Sequence, residues 1–269
     1  MASEPERLGG SFERMGSAAL DRLADGHAQR RLLWTDTLSN LAGLFAATAA
    51  FAVFLASQTP LGWHFTVSAL SCLAAIFSLV LSSLADHPHP RFGAANLVTA
   101  FRACLVSLIA AAFLFFEDLV PYDWALWSLI AVILFALALD GIDGYLARRS
   151  GLESRLGARF DMEVDALLIL ILSLAALLLG KAGVWVLLIG LMRYAFVAAG
   201  WLLPKLNGEL FPSFRRKLVC VLQIGSLCLI LMPFVTPTYS TAVAALALVA
   251  LVYSFAVDVL YLLREAHKS

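Results

Sequence analysis

The sequence predicts an all-α, polytopic integral membrane protein of about eight transmembrane helices, and three observations carry that prediction. The chain is 61% apolar and only 14% charged, with a mean hydropathy of +0.87, whereas a soluble domain is about 45–50% apolar and a quarter charged. Its apolar residues gather into eight runs of roughly 20, the length that crosses a hydrocarbon core about 30 Å thick. Of its 19 Lys and Arg residues, all but Lys181 and Arg193 fall in tails, loops or helix ends on one side of an up-and-down chain. The net charge of zero gives no reason to expect nucleic acid as a partner.

Residues 1–35 read as a cytosolic tail. No cleavable signal peptide is legible in it, because the stretch is polar and charged. Phe12, Met15, Ala19 and Leu23 recur there at helical spacing, with Arg14, Asp21, Arg22 and Asp25 on the other side. That pattern predicts a short amphipathic helix on the membrane surface. Spans follow at roughly 36–57, 61–83, 96–116, 124–147, 161–180, 183–203, 215–234 and 241–263. The connections between them, such as SQTPLGW, FEDLVPYD and PFVTPTYS, are short and hold turn formers. An even number of spans returns both termini to one face, and the basic residues of the tails and of the loops at 84–95, 148–160 and 204–217 make that face cytosolic. Glu117, Asp118 and Asp123 lie opposite, in a loop without basic residues. The stretch HPHPRFGAA divides the chain into an N-terminal hairpin, residues 36–84, and a region of six further helices, residues 85–269. Cys72, Cys104, Cys220 and Cys228 all lie inside apolar runs and read as small core residues.

The chemistry concentrates at the junction of the fourth and fifth runs, in ALDGIDGYLARRSGLESRLGARFDMEVDALL. On a helix Asp140 and Asp143 are i,i+3 neighbours, with Gly144 and Ala147 on the same face. Asp161 and Asp165 are i,i+4 neighbours on the next helix, with Gly157 one turn earlier. Four carboxylates at a membrane edge need a counter-charge, and the first pair sits at a helix C-terminus, where the backbone dipole disfavours anions. A hard divalent cation (Mg²⁺, Mn²⁺ or Ca²⁺) meets both demands, because it prefers oxygen ligands and bridges to phosphates. No nearby Cys or His points to zinc. The alternative is a solvated loop in which the aspartates pair with Arg148, Arg149, Arg155 and Arg159, but a solvated loop does not require same-face spacing opposite glycine and alanine.

The series Asp140-x2-Asp143-Gly144-x2-Ala147-Arg148-x8-Gly157-x3-Asp161-x3-Asp165 resembles the signature of the CDP-alcohol phosphotransferase family at every fixed position. The resemblance implies a six-helix catalytic core whose second and third helices carry the signature, as they do here when helices are counted from Asn96. It implies transfer of a phosphoalcohol group from a CDP-alcohol to a hydroxyl acceptor with release of CMP. It also implies two Mg²⁺ or Mn²⁺ ions on Asp140, Asp143, Asp161 and Asp165, and proton removal from the acceptor by Asp165. Gly144, Ala147 and Gly157 would let the nucleotide approach the backbone, and Arg148 would contact phosphate or stabilise the loop. Asn96, Thr99 and Arg102, an Asn-x2-Thr-x2-Arg series like that of many members, would line the CDP pocket. Arg193, Arg215, Arg216 and Lys217 would receive a phosphorylated acceptor or lipid phosphate, although Arg193 has the alternative of a structural ion pair with Asp258. Glu163 points away from the aspartate face. The favoured donor is CDP-diacylglycerol and the favoured acceptor a polar, phosphorylated alcohol. CDP-choline or CDP-ethanolamine donating to a diacylglycerol-like lipid shares the same signature. From another class, a cation-coupled transporter would place its acidic residues mid-membrane and show an inverted repeat. An aspartate-rich prenyltransferase would need a second, distant Asp motif, and the chain has none. Membrane lipids are the surroundings in every reading, and a homodimer is expected by resemblance alone.

Overall fold

A computed structural model describes residues 4–84, 87, 89–119, 123–150, 154–203 and 213–265. Side chains are described from Ala28 onward within these ranges, with Asp123, Asp143, Ala147, Arg148, Ser150 and Glu265 excepted. Among the described residues eight α-helices cover the eight apolar runs: α1 Glu4–Gln58, α2 Gly62–Ser82, α3 Ala94–Leu114, α4 Asp123–Ser150, α5 Arg155–Leu178, α6 Leu187–Leu202, α7 Phe214–Leu231 and α8 Pro237–Glu265. Single 3₁₀ turns, Phe116–Asp118 and Val184–Val186, lie between α3 and α4 and before α6. No strand occurs among the described residues.

The expectation of a separate short surface helix before the first span is corrected. Helix α1 runs unbroken for 55 residues, about 80 Å at 1.5 Å per residue. The reason lies in its prolines. Pro5 occupies the first turn, where its missing N–H is harmless, and the next proline, Pro60, falls just beyond the helix.

Among the described residues, six helices are long and apolar enough to cross a membrane, and the corresponding stretches are Ala28–Gln58, Gly62–Ser82, Ala94–Leu114, Trp124–Leu146, Val184–Leu202 and Pro237–Arg264. Helices α5 and α7 fall short of that test because their first turns are charged. Helix α5 opens with Arg155, Arg159, Asp161, Glu163 and Asp165, and α7 with Arg215, Arg216 and Lys217. They run alongside the others all the same. Asp165 of α5 meets Cys220 of α7 near one end. At the other end, Lys181 just after α5 donates its ammonium to the carbonyls of Met232 (2.9 Å) and Val235 (2.7 Å) just after α7. Both helices therefore traverse the same thickness in the same direction.

Helix α3 is the centre of the bundle. It packs against α1, α2, α4 and α5, and α5 in turn packs against α6 and α7. Of the apolar stretch of α3 61% is buried, against 17–28% for the other five. The main core joins Ala103, Val106 and Ile109 of α3 to Val164, Leu168 and Leu172 of α5 and to Ile224 and Leu227 of α7. Outward faces carry Phe51, Phe54, Leu79, Leu134, Phe135, Leu246 and Val249 exposed, an arrangement stable in lipid and not in water. Exposed Trp63, Trp124 and Trp127 lie near one end and Trp34 and Trp201 near the other, the placement expected of tryptophans at two membrane interfaces.

The end of α5 shows how sequence sets a boundary. Gly180 has φ +63°, while the N–H of Lys181 donates to the carbonyl of Ala176 (2.9 Å) and that of Gly180 to Leu177 (3.0 Å), the paired bonds of a glycine-terminated helix. An added Cβ at this φ costs about 1 kcal/mol. Gly180→Ala is expected to lower unfolding stability in detergent by that amount, measured by denaturant titration, and an unchanged midpoint would contradict the assignment.

Candidate active site

The first turns of α3 and α5 and the last part of α4 converge on one polar cluster. Asn96, Thr99 and Arg102, three residues apart on α3, are all buried among the neighbouring helices. Arg102 is fully enclosed. Its guanidinium donates to Asp161 on α5 at 2.6 Å and to Asp165 on the same helix, and lies 3.3 Å from Asp140 on α4. Carboxylate oxygens of Asp140, Asp161 and Asp165 lie within 4.8 Å of one another. The i,i+4 spacing puts the two α5 aspartates on one face, and the antiparallel α4 delivers the third.

Exposure grades the three. The side chains of Asp161 and Asp140 are 35% and 27% accessible, whereas that of Asp165 is 14% accessible. Asp165 is thus the floor of the cluster and Asp161 its mouth. Three carboxylates and one guanidinium sum to −2 (−3 + 1) over these four groups. An excess of negative charge on oxygen donors alone is what a hard divalent cation requires.

Gly157 and Asn96 form one packing unit. A Cβ on Gly157 would stand 2.4 Å from Asn96 Oδ1 and 3.2 Å from Ser154 Oγ, so a larger residue here would force the Asn96 amide to shift. The Asn96 amide donates to the Phe92 carbonyl at 2.5 Å, and the Phe92 N–H donates to Asp36 of α1 at 2.9 Å. Ser154 caps α5 by accepting from the Gly157 N–H at 3.0 Å. Thr99 donates to the carbonyl of Ala95 at 3.2 Å. Gly144 lies on α4 one turn beyond Asp140. Asp143, Ala147 and Arg148 lie outside the residues whose side chains are described.

The four cations expected to bind an acceptor divide into two sets. Arg193 of α6 donates to Glu163 of α5 at 2.6 Å, so the ion pair offered as its alternative role forms with Glu163 and not with Asp258. Arg215 of α7 takes Asp258 instead, at 2.5 Å, and also donates to Ser254 Oγ at 2.8 Å. The packing explains the exchange: α6 lies along α5, and α7 along α8, so each arginine meets the carboxylate of its adjacent helix. Arg216 and Lys217 come one turn before Cys220, whose thiol donates to Asp165 Oδ2 at 3.3 Å. On a helix these three residues share a side.

Two contacts were not anticipated from sequence. Asp36, given no role by its place at the start of the first expected span, fixes the backbone before α3. Cys220 read as a core residue, yet it touches a site carboxylate. The second had a faint signal, because Cys220 follows Arg216 by one turn on a helix that begins at the polar end.

A family model for CDP-alcohol phosphatidyltransferases matches residues 92–257, and the chain belongs to that family. Among curated proteins it is 35% identical over 74 residues to a CDP-diacylglycerol–glycerol-3-phosphate 3-phosphatidyltransferase of Pseudomonas fluorescens, covering 28% of this chain and 35% of the relative. Proteins of the same name from Cereibacter sphaeroides, 33% identical over 76 residues, and Pectobacterium atrosepticum, 32% identical over 79 residues, match about as well. These cover 28% and 29% of this chain and 33% and 41% of the relatives, so the chain spans about a third of the length of the curated relatives it matches. No solved structure matches the chain. The matched family region begins just before α3, and α1 and α2 precede it.

Removing one partner from a buried ionic cluster costs about 3–5 kcal/mol, and the lower end applies here because Asp140 and Asp161 keep some solvent. Arg102→Met is therefore expected to lower the thermal unfolding midpoint in EDTA and to recover part of the loss in Mg²⁺ or Mn²⁺. Fluorimetric melting in detergent checks both, and a midpoint in EDTA equal to that of the parent would contradict the role given to Arg102.

Proposed function

We propose that the chain is a metal-dependent phosphatidyltransferase that moves the phosphatidyl group of CDP-diacylglycerol to the hydroxyl of a phosphorylated, polar alcohol and releases CMP. The observation that carries this reading is the convergence of Asp140, Asp161 and Asp165 within 4.8 Å in a chain whose family and relatives are named for CDP-alcohol and CDP-diacylglycerol chemistry. All three relatives are named for glycerol 3-phosphate as acceptor, which favours an acceptor of that class here.

Asp140, Asp161 and Asp165 would hold the divalent cations, with Asp143 completing the set by its spacing. Bound there, such cations supply neutralisation of the diphosphate and of the charge developing on departing CMP. In the reaction the acceptor oxygen forms a bond to the phosphatidyl phosphorus, the P–O bond to CMP breaks, and the acceptor proton passes to Asp165. Asp165 suits the base role because it is the least accessible of the three and because Arg102 and Cys220 fix its carboxylate. Gly144, Ala147, Arg148 and Gly157 would border the CDP moiety, with Asn96, Thr99 and Arg102, buried behind them, supporting that wall. For the acceptor phosphate, Arg193, Arg215, Arg216 and Lys217 are the candidates; of these, Arg193 also pairs with Glu163 and Arg215 with Asp258. The basic residues of the tails and of the loops at the carboxylate end support a cytosolic site with both termini on the same side.

The test is CMP release by purified protein from CDP-diacylglycerol with glycerol 3-phosphate and a panel of other alcohols. Release that requires Mg²⁺ or Mn²⁺ and falls about 10²–10⁴-fold in Asp165→Asn is expected, the range that a positioned base contributes. Release only from CDP-choline or CDP-ethanolamine with a lipid acceptor would overturn the choice of donor, and no release from any CDP-alcohol would overturn the reading.

A further inference from the structure

We propose that Cys220 is a positioning residue for the transfer reaction, holding the Asp165 carboxylate in one orientation through a hydrogen bond from α7. The inference rests on the reading of Asp165 as the proton acceptor. Asp165 uses both oxygens: Oδ1 accepts from Arg102 Nη2 on α3, and Oδ2 accepts from the Cys220 thiol at 3.3 Å. A carboxylate held by Oδ1 alone can still turn about its Cβ–Cγ bond. A second donor from a different helix removes that freedom and sets the plane in which the lone pairs of Oδ2 lie.

The choice of a thiol has a physical consequence. S–H is a weak donor, and a carboxylate oxygen accepts more than one hydrogen bond. Cys220 therefore orients Oδ2 while leaving it available to an acceptor hydroxyl.

Helix α7 is anchored so that this contact is reproducible. Five residues before Cys220, Arg215 is bound to Asp258 and Ser254 of α8. One turn after it, the fully buried Gln223 donates its amide to the carbonyl of Ala247 of α8 at 2.7 Å. These two ties, on either side of Cys220 in the sequence, fix the depth and rotation of α7. Its side toward α5 then presents the thiol to Asp165. Two of the other cysteines are placed differently: Cys104 donates to its own helix at Ala100, and Cys228 lies in the apolar core.

The experiment compares Cys220→Ala, Cys220→Val, Cys220→Ser and Asp165→Asn in CMP release from CDP-diacylglycerol, with thermal unfolding measured alongside. Alanine and valine remove the donor, and valine keeps the volume. Both are expected to lower kcat about tenfold, the scale of one lost hydrogen bond to a charged group, with KM for CDP-diacylglycerol and the unfolding midpoint unchanged. Serine restores a donor and is expected to recover most of kcat. Wild-type kcat in both Ala and Val variants, with Asp165→Asn inactive, would overturn the positioning role and leave the assignment of Asp165 intact. Loss of kcat together with a lowered midpoint and no recovery in Ser would assign Cys220 to packing and also overturn the proposal. Full activity in Asp165→Asn would instead overturn the reading on which the proposal rests.

Discussion

A single fully buried guanidinium, that of Arg102, faces three carboxylates from two other helices, and the arrangement of the polar end of the bundle follows from it. Ions of one sign cannot be gathered in a membrane protein without compensation, and α4 and α5 bring negative charge to one point. Arg102 reaches that point because α3 lies at the centre of the bundle, in contact with four other helices. The compensation is incomplete. The four groups keep a charge of −2, which makes the cluster receptive to cations and phosphate-bridging metals while α3, α4 and α5 remain tied together.

Close approach of the helices is the second requirement, and small residues supply it. Ala100 and Ala103 leave α3 slender on the sides next to Arg102, and Gly157 leaves room for the Asn96 amide at the start of α5. The same cluster is then framed by ion pairs that hold its neighbours: Arg193 with Glu163 between α6 and α5, and Arg215 with Asp258 between α7 and α8. Far from the carboxylates, Lys181 performs the corresponding task at the opposite end, joining the loop after α5 to the end of α7. One end of the bundle is thus charged and open at Asp161, and the other is closed by backbone carbonyls around one ammonium.

Much of this was legible in the sequence, for physical reasons that differ by feature. Eight helices could be located because an apolar run of about 20 residues has few uses outside a bilayer, and the i,i+3 and i,i+4 aspartates could be assigned to helix faces because periodicity is local. The continuity of α1 was missed because the polarity change near residue 35 reads as a boundary, although nothing in the backbone breaks there. The partners of Arg102, Arg193 and Arg215 were missed for another reason. Those pairs join residues 30 to 63 positions apart, and which arginine meets which carboxylate depends on helix adjacency, which local spacing does not encode. Cys220 belongs with them: its composition says core, and only the packing of α7 against α5 gives its thiol a carboxylate to bind.

The central claim is that this carboxylate cluster is a divalent-cation site, and direct binding tests it without relying on turnover. Mn²⁺ titrated into the purified chain in detergent, with the free ion followed by electron paramagnetic resonance, reads occupancy independently of substrate. The account predicts saturable binding in the parent protein and a loss of affinity of about tenfold or more in Asp161→Asn, whose carboxylate is the most accessible of the three. Equal Mn²⁺ binding in the parent and in Asp161→Asn would contradict it.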